Sequence, residues 1–171
     1  MKVISDLLIH LMADGLLVVV VFAAIWALWF KVPKAEKSRA YSIFVVVGMS
    51  TYLLAKLIAA VWQPDAARPF IEKGVSAGAL YLQNSGFPSD HALLCAFLTL
   101  SVFFLTKEKK LAIVMAIMTI LVCAGRVLAL VHTPLDVTGG VVIACLGSIL
   151  YLQYQSVAKK HFGKKRQNVV Q

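Results

Sequence analysis

Residues Leu7–Phe30 read LLIHLMADGLLVVVVFAAIWALWF. As one helix this apolar stretch is long enough to cross the roughly 30 Å of hydrocarbon in a bilayer, which takes about 20 residues. Ala40–Trp62, Leu111–Val131 and Leu135–Gln155 meet the same length. A fifth run, His91–Thr106, rises only about 24 Å at 1.5 Å per residue, so it either tilts little or begins below the membrane surface; it is counted as a span. No period of two runs through these stretches, so a transmembrane barrel is not supported. The expected fold class is all-α and integral to a membrane: a bundle of about five transmembrane helices with an outer loop that carries site residues. No internal repeat or low-complexity linker divides the chain, and 1–171 reads as a single membrane-embedded domain.

Composition agrees with this reading. Hydrophobic residues make up 60% of the chain, against about 45–50% in soluble domains, which excludes an ordinary water-soluble globule. Lys and Arg number 17 against 8 for Asp and Glu, giving +9, yet only 15% of residues are charged. Such a chain has little solvated basic face to offer a nucleic acid. Cys95, Cys123 and Cys145 lie inside apolar runs, odd in number and without paired or zinc-ligand spacing, so they read as small core residues.

Lys and Arg collect after the first, third and fifth spans: Lys31, Lys34, Lys37 and Arg39; Lys107, Lys109 and Lys110; Lys159, Lys160, Lys164, Lys165 and Arg166. The positive-inside bias puts these on the cytoplasmic side. The amino terminus, the Gln63–Asp90 connection and the turn near His132 then fall outside. Met1–Phe30 is expected to be a retained span rather than a signal peptide, since its basic cluster follows the apolar run instead of preceding it. The C-terminal basic group reads as a solvated tail near anionic headgroups.

Ionisable residues in or beside spans are costly and usually face a cavity or a partner. Those singled out are Lys56, Arg68, Asp90, His91, Arg126, His132 and Asp136, all toward the outer side in this topology. Gly86-Phe87-Pro88-Ser89-Asp90-His91 reads as a loop entering a helix. Helix starts bind anions through free N–H groups and the dipole, Ser89 adds a hydroxyl, and His91 exchanges a proton near neutral pH. Simple capping by Ser89 and Asp90 explains the same pattern. Arg126 and His132 are six residues apart, about 600° around an ideal helix, and share no face unless the chain bends. Pro134 ends the preceding helix near His132, and Thr133-Pro134-Leu135-Asp136 resembles a capping box at the start of the next. A carboxylate held there is also placed to orient a histidine. Arg68 offers a bidentate phosphate contact, whereas Lys56 either snorkels or enters the same site. The carboxylates form no Mg²⁺-type cluster and the histidines no zinc spacing, so metal-free chemistry without a cofactor is expected.

Taken together, Arg68-Pro69, Pro88-Ser89-Asp90-His91 and Gly125-Arg126 with His132 and Asp136 resemble the three-part signature of the type 2 phosphatidic acid phosphatase superfamily. Within it, the Phe-Pro-Ser-Asp-His form and short length look most like the bacterial undecaprenyl-diphosphate phosphatases of the bacitracin-resistance type. The resemblance implies that His132 attacks phosphorus to form a phosphohistidine, that Asp136 orients it, and that His91 protonates the leaving oxygen. Arg126, Arg68 and Ser89 would hold phosphate oxygens, with Lys56 and Asp90 as further phosphate-site residues. It also implies a lipid diphosphate as substrate, membrane lipids as surroundings, no nucleic acid and no obligate protein partner. The location would be the bacterial cytoplasmic membrane with the site facing outward.

Three positions depart from the signature. Lys56 and Arg68 have eleven residues between them where six are usual, Asp90 replaces the usual Gly between Ser and His, and Gly125 stands where Ser commonly precedes Arg. A carboxylate at position 90 must point away, be neutralised by Arg or Lys, or contact a diphosphate through a bridging group. The competing expectations are a phosphatase for phosphatidylglycerophosphate, phosphatidate or lipid A and, from a different class, a non-enzymatic transporter or scaffold.

Overall fold

The computed structural model describes residues 2–64, 67–84 and 86–167, with side chains described for 4–156 of these. Lys2 and the basic tail Lys159–Arg166 invoked for orientation therefore lie outside the described side chains. Among the described residues every regular element is helical: α1 (Lys2–His10), a π-helical turn (Leu11–Gly15), α2 (Leu16–Phe30), a 3-10 turn (Lys34–Glu36), α3 (Lys37–Val61), the short α4 (Pro69–Glu72), α5 (Asp90–Leu105), α6 (Lys109–Leu128) and α7 (Pro134–Gln167). Ile4–Phe30, Lys34–Val61, Lys109–Leu128 and Pro134–Ser156 are long and apolar enough to cross a membrane, and Asp90–Leu105 is a shorter apolar helix. The all-α membrane bundle is thus the observed architecture.

The shortest of the five sits innermost. α5 packs against α2, α3, α6 and α7 and buries Ala92, Leu93, Cys95, Ala96, Leu98, Thr99, Ser101 and Val102. Its small residues let neighbouring backbones approach, the usual means of helix association where no water is available to drive it. Glycines of α7 do the same from the other side: a Cβ at Gly140 would stand 2.8 Å from the Ser89 carbonyl oxygen and 3.0 Å from Leu93 N. Buried hydroxyls pair inside the bundle, Thr99 with Thr119 at 3.2 Å and Ser101 with Tyr151 at 3.0 Å. Large apolar side chains such as Phe22, Trp29, Leu53, Ile117 and Ile120 are exposed on the outside, as a bundle surrounded by lipid requires. The cysteine expectation holds only in part. Cys95 is buried and Cys123 half-buried, but Cys145 is exposed on the bundle exterior.

The two ends of the bundle differ. At one, Lys31 Nζ meets Glu108 Oε1 at 3.0 Å, tying together two of the basic loops. At the other, the connection from α3 to α5 is stitched to the turn between α6 and α7: Phe70 N–H donates to Leu130 O at 3.0 Å and Gly78 N–H to Ala129 O at 3.0 Å. α6 ends at Leu128, earlier than the expected stop near His132. The cause is Leu130, whose φ of +58° reverses the chain before Pro134 can. A non-glycine residue there costs on the order of 1–3 kcal/mol, and the backbone bonds to α4 and Gly78 hold it.

Candidate active site

His132 and Asp136 form the most enclosed pair. Thr133 N–H donates to Asp136 Oδ2 at 2.8 Å and Asp136 N–H to Thr133 Oγ1 at 3.3 Å, the reciprocal bonding of a capping box at the start of α7. The same Oδ2 lies 3.3 Å from His132 Nδ1, and both side chains are 95% buried. The cap and the histidine contact thus share one carboxylate oxygen. With its proton on Nδ1 toward Asp136, the ring presents Nε2 as a lone pair, 3.5 Å from Arg68 Nη1. Burial pushes the His132 pKa below its ordinary value; the bond to Asp136 raises it, and the charges of Arg126 and Arg68 lower it. The net direction is downward, so the ring stays neutral at pH 7, the form a nucleophile requires.

Arg68 is fixed at the N-terminal edge of α4. Nη1 donates to Val131 O at 2.6 Å, and Nη2 to Asn84 Oδ1 at 2.8 Å and Leu82 O at 3.1 Å, while the guanidinium carbon lies 5.5 Å from the centre of the Tyr81 ring. Burial lowers its pKa, and Asp136, Tyr81 and Asp90 act in the opposite sense; guanidinium remains charged throughout the accessible pH range. Beside it opens a cleft of about 690 Å³, lined among others by Gln63, Arg68, Tyr81, Asn84, Phe87 and Asp136.

The start of α5 joins the same end. Ser89 N–H donates to Asp136 O at 3.0 Å, so the residues preceding His91 are hydrogen-bonded to the segment carrying His132. Ser89 is the N-cap residue, but its side chain makes no cap bond. Its Oγ is buried without a partner, so capping does not account for this hydroxyl. Asp90 and Lys56, expected as phosphate-site residues, engage each other: Lys56 Nζ lies 3.1 Å from Asp90 Oδ1, and Asn84 Nδ2 lies 3.3 Å from Oδ2. Of the outcomes expected for the Asp90 carboxylate, the structure shows neutralisation, and the cation that supplies it is Lys56.

Arg126 is 1% exposed. Nη1 donates to Asp14 Oδ1 at 2.8 Å and to Leu80 O at 2.7 Å, while its Nε is buried without a partner. His91 Nε2 lies 3.5 Å from the same Asp14 oxygen. Sequence reasoning missed Asp14 and Asn84. Asp14 carried a usable signal, an acid inside an apolar span, and Asn84 carried none.

The structure brings all eight expected residues to one end of the bundle in three linked groups: His132 with Asp136 and Arg68; Lys56 with Asp90 beside Ser89; and Arg126 with His91 through Asp14. Two guanidiniums, two imidazoles and an idle buried hydroxyl are a set suited to binding a tetrahedral anion and moving protons around it. A family model described as the PAP2 superfamily matches residues 39–160. No curated protein and no solved structure matches the chain.

Proposed function

Since the chain belongs to the PAP2 superfamily, we propose that it hydrolyses undecaprenyl diphosphate to undecaprenyl phosphate and phosphate through a phosphohistidine on His132. Phosphatase action on a lipid-like substrate goes with the family. The observation that carries the mechanism is the His132 ring, held at Nδ1 by Asp136 while Nε2 lies beside a guanidinium. Nε2 attacks the terminal phosphorus, the N–P bond forms, and the bridging P–O bond breaks. His91 gives its proton to the departing undecaprenyl phosphate oxygen. Water then attacks phosphorus with His91 as base, the N–P bond breaks, and phosphate leaves.

Arg68 and Arg126 stabilise the charge that develops on the equatorial oxygens, and the free Ser89 hydroxyl supplies another donor. Lys56 and Asp90 flank this site as a neutral pair. Nothing in the scheme calls for a metal or cofactor. The location proposed is a bacterial cytoplasmic membrane with the site outward, an orientation supported by the basic loops joined at the opposite end. The prenyl tail would stay in the bilayer while the diphosphate enters the cleft beside Arg68.

Purified protein in detergent, assayed for phosphate release on prenyl diphosphates and phospholipids, tests the reading. A clear preference for undecaprenyl diphosphate is expected, with loss of activity in both His132→Ala and His91→Ala. Preference for phosphatidylglycerophosphate, phosphatidate or lipid A would replace the substrate. Undiminished activity in both variants, or none in the parent, would remove the enzymatic assignment in favour of a transporter or scaffold.

A further inference from the structure

Asp14 lies in the first span, outside the residues 39–160 that match the family, yet it touches two residues of the site. An acid inside an apolar span is expensive and needs partners, and the local backbone is arranged to provide them. The helix loosens into a π-helical turn at Leu11–Gly15, a distortion often found at functional positions. There α6 comes unusually close: a Cβ at Gly125 would stand 2.6 Å from Ala13 N. The next residue along each helix of this contact is Asp14 and Arg126. Glycine at 125 is thus what admits the first helix to the site.

The bonds that follow are directional. Asp14 Oδ2 accepts from Leu80 N–H at 3.0 Å, and Oδ1 accepts from Arg126 Nη1 at 2.8 Å. The second proton of Nη1 is directed to Leu80 O at 2.7 Å, so this corner of the guanidinium is fully engaged. Nε remains buried and partnerless. A buried unsatisfied donor costs about 1–3 kcal/mol, and more when charged, so its place is best explained by an acceptor that arrives with the ligand. If the carboxylate were merely filling the anion's position, it would be expected on the Nε side; it holds Nη1 alone.

We propose that Asp14 is a positioning residue, locking the rotation of the Arg126 guanidinium so that its Nε side faces the bound phosphoryl group. This rests on reading the site as a phosphate site. Asp14 does not react; it acts through Arg126, and its 3.5 Å approach to His91 Nε2 keeps that ring next to the same anion.

The test uses the full chain in detergent, with inorganic phosphate as probe by titration calorimetry, lipid-diphosphate turnover in parallel, and thermal melting as a check on folding. Asp14→Asn keeps the shape and an acceptor for Leu80 N–H, and should weaken phosphate binding about tenfold with kcat/KM falling in step. Asp14→Ser gives the same readout should Asn not fold. In an Arg126→Lys background, which has no guanidinium to orient, Asp14→Asn should cost less than twofold. Unchanged or tighter phosphate binding in Asp14→Asn, or full additivity with Arg126→Lys, would overturn the proposal; tighter binding would mean that the carboxylate competes with phosphate. Turnover in the parent with Asp14-independent phosphate binding overturns this inference alone. Asp14-dependent phosphate binding without turnover of any lipid overturns the phosphatase reading and leaves this one standing.

Discussion

Replacing Lys56 with Met and Asp90 with Asn, singly and together, separates a phosphate ligand from a charge-balancing pair. The charges lie 3.1 Å apart with side chains 38% and 30% exposed. At an effective dielectric of about 20 the Coulomb attraction is about 5 kcal/mol, but desolvation and screening reduce exposed pairs to about 0.2–1 kcal/mol in double-mutant cycles. A coupling near the top of that range is expected because Asn84 also contacts the carboxylate. In kcat/KM for lipid-diphosphate hydrolysis this is roughly a fivefold effect. Lys56→Met should lose a few-fold by leaving a carboxylate near an anion site, whereas Asp90→Asn, which frees an ammonium beside that site, should stay close to the parent. The double variant should be no worse than either. A loss of a hundredfold or more in Lys56→Met that persists in the double variant would show that Lys56 grips phosphate itself and would refute the pairing argument.

Three further outcomes follow from the geometry. Arg126→Lys removes a planar donor set that an ammonium cannot reproduce; kcat/KM should fall by about 2 kcal/mol, roughly thirtyfold, using the strength of a charged hydrogen bond, and near-parent activity would make Arg126 purely structural. His132 must be neutral to attack, and its pKa lies below the ordinary 6.5, so phosphohistidine formation in single-turnover experiments should stay level as pH falls through 6.5 and decline only below it. Asp136→Asn takes away the bond that raises this pKa, so the decline should move to lower pH while the plateau rate drops; a parent midpoint above 6.5 contradicts the assignment. Gly147 packs against Thr51 so closely that an added Cβ would overlap its hydroxyl, and Gly147→Ala should destabilise the bundle by about 1–3 kcal/mol. Because Thr51 Oγ is buried without a partner, Thr51→Ala should be tolerated and should restore part of that loss, read as thermal melting in detergent.

Hydropathy made the spans legible because a helix in lipid must be apolar for a fixed length, and that constraint is local. The capping box at Thr133 and Asp136 was legible for the same reason: its donors and acceptors lie within three residues of one another. The stop of α6 was not. Pro134 marks a boundary, but Leu130 turns the chain first, and nothing in a leucine announces a left-handed backbone held by bonds from α4 and Gly78. Lys56 with Asp90 was half legible. Each looked like an anomaly, and only the packing of α3 beside α5 shows that the two anomalies cancel. Asp14 exposes a gap of a different kind. The rule that an ionisable group inside a span needs a partner applies to it as strongly as to Arg126, yet the partner lies 112 positions away, and the permission for their meeting is a missing side chain at Gly125. Sequence shows which charges need company. Which ones meet depends here on small residues, whose effect is to let two backbones approach rather than to present a chemical group, and a search for reactive side chains passes over them.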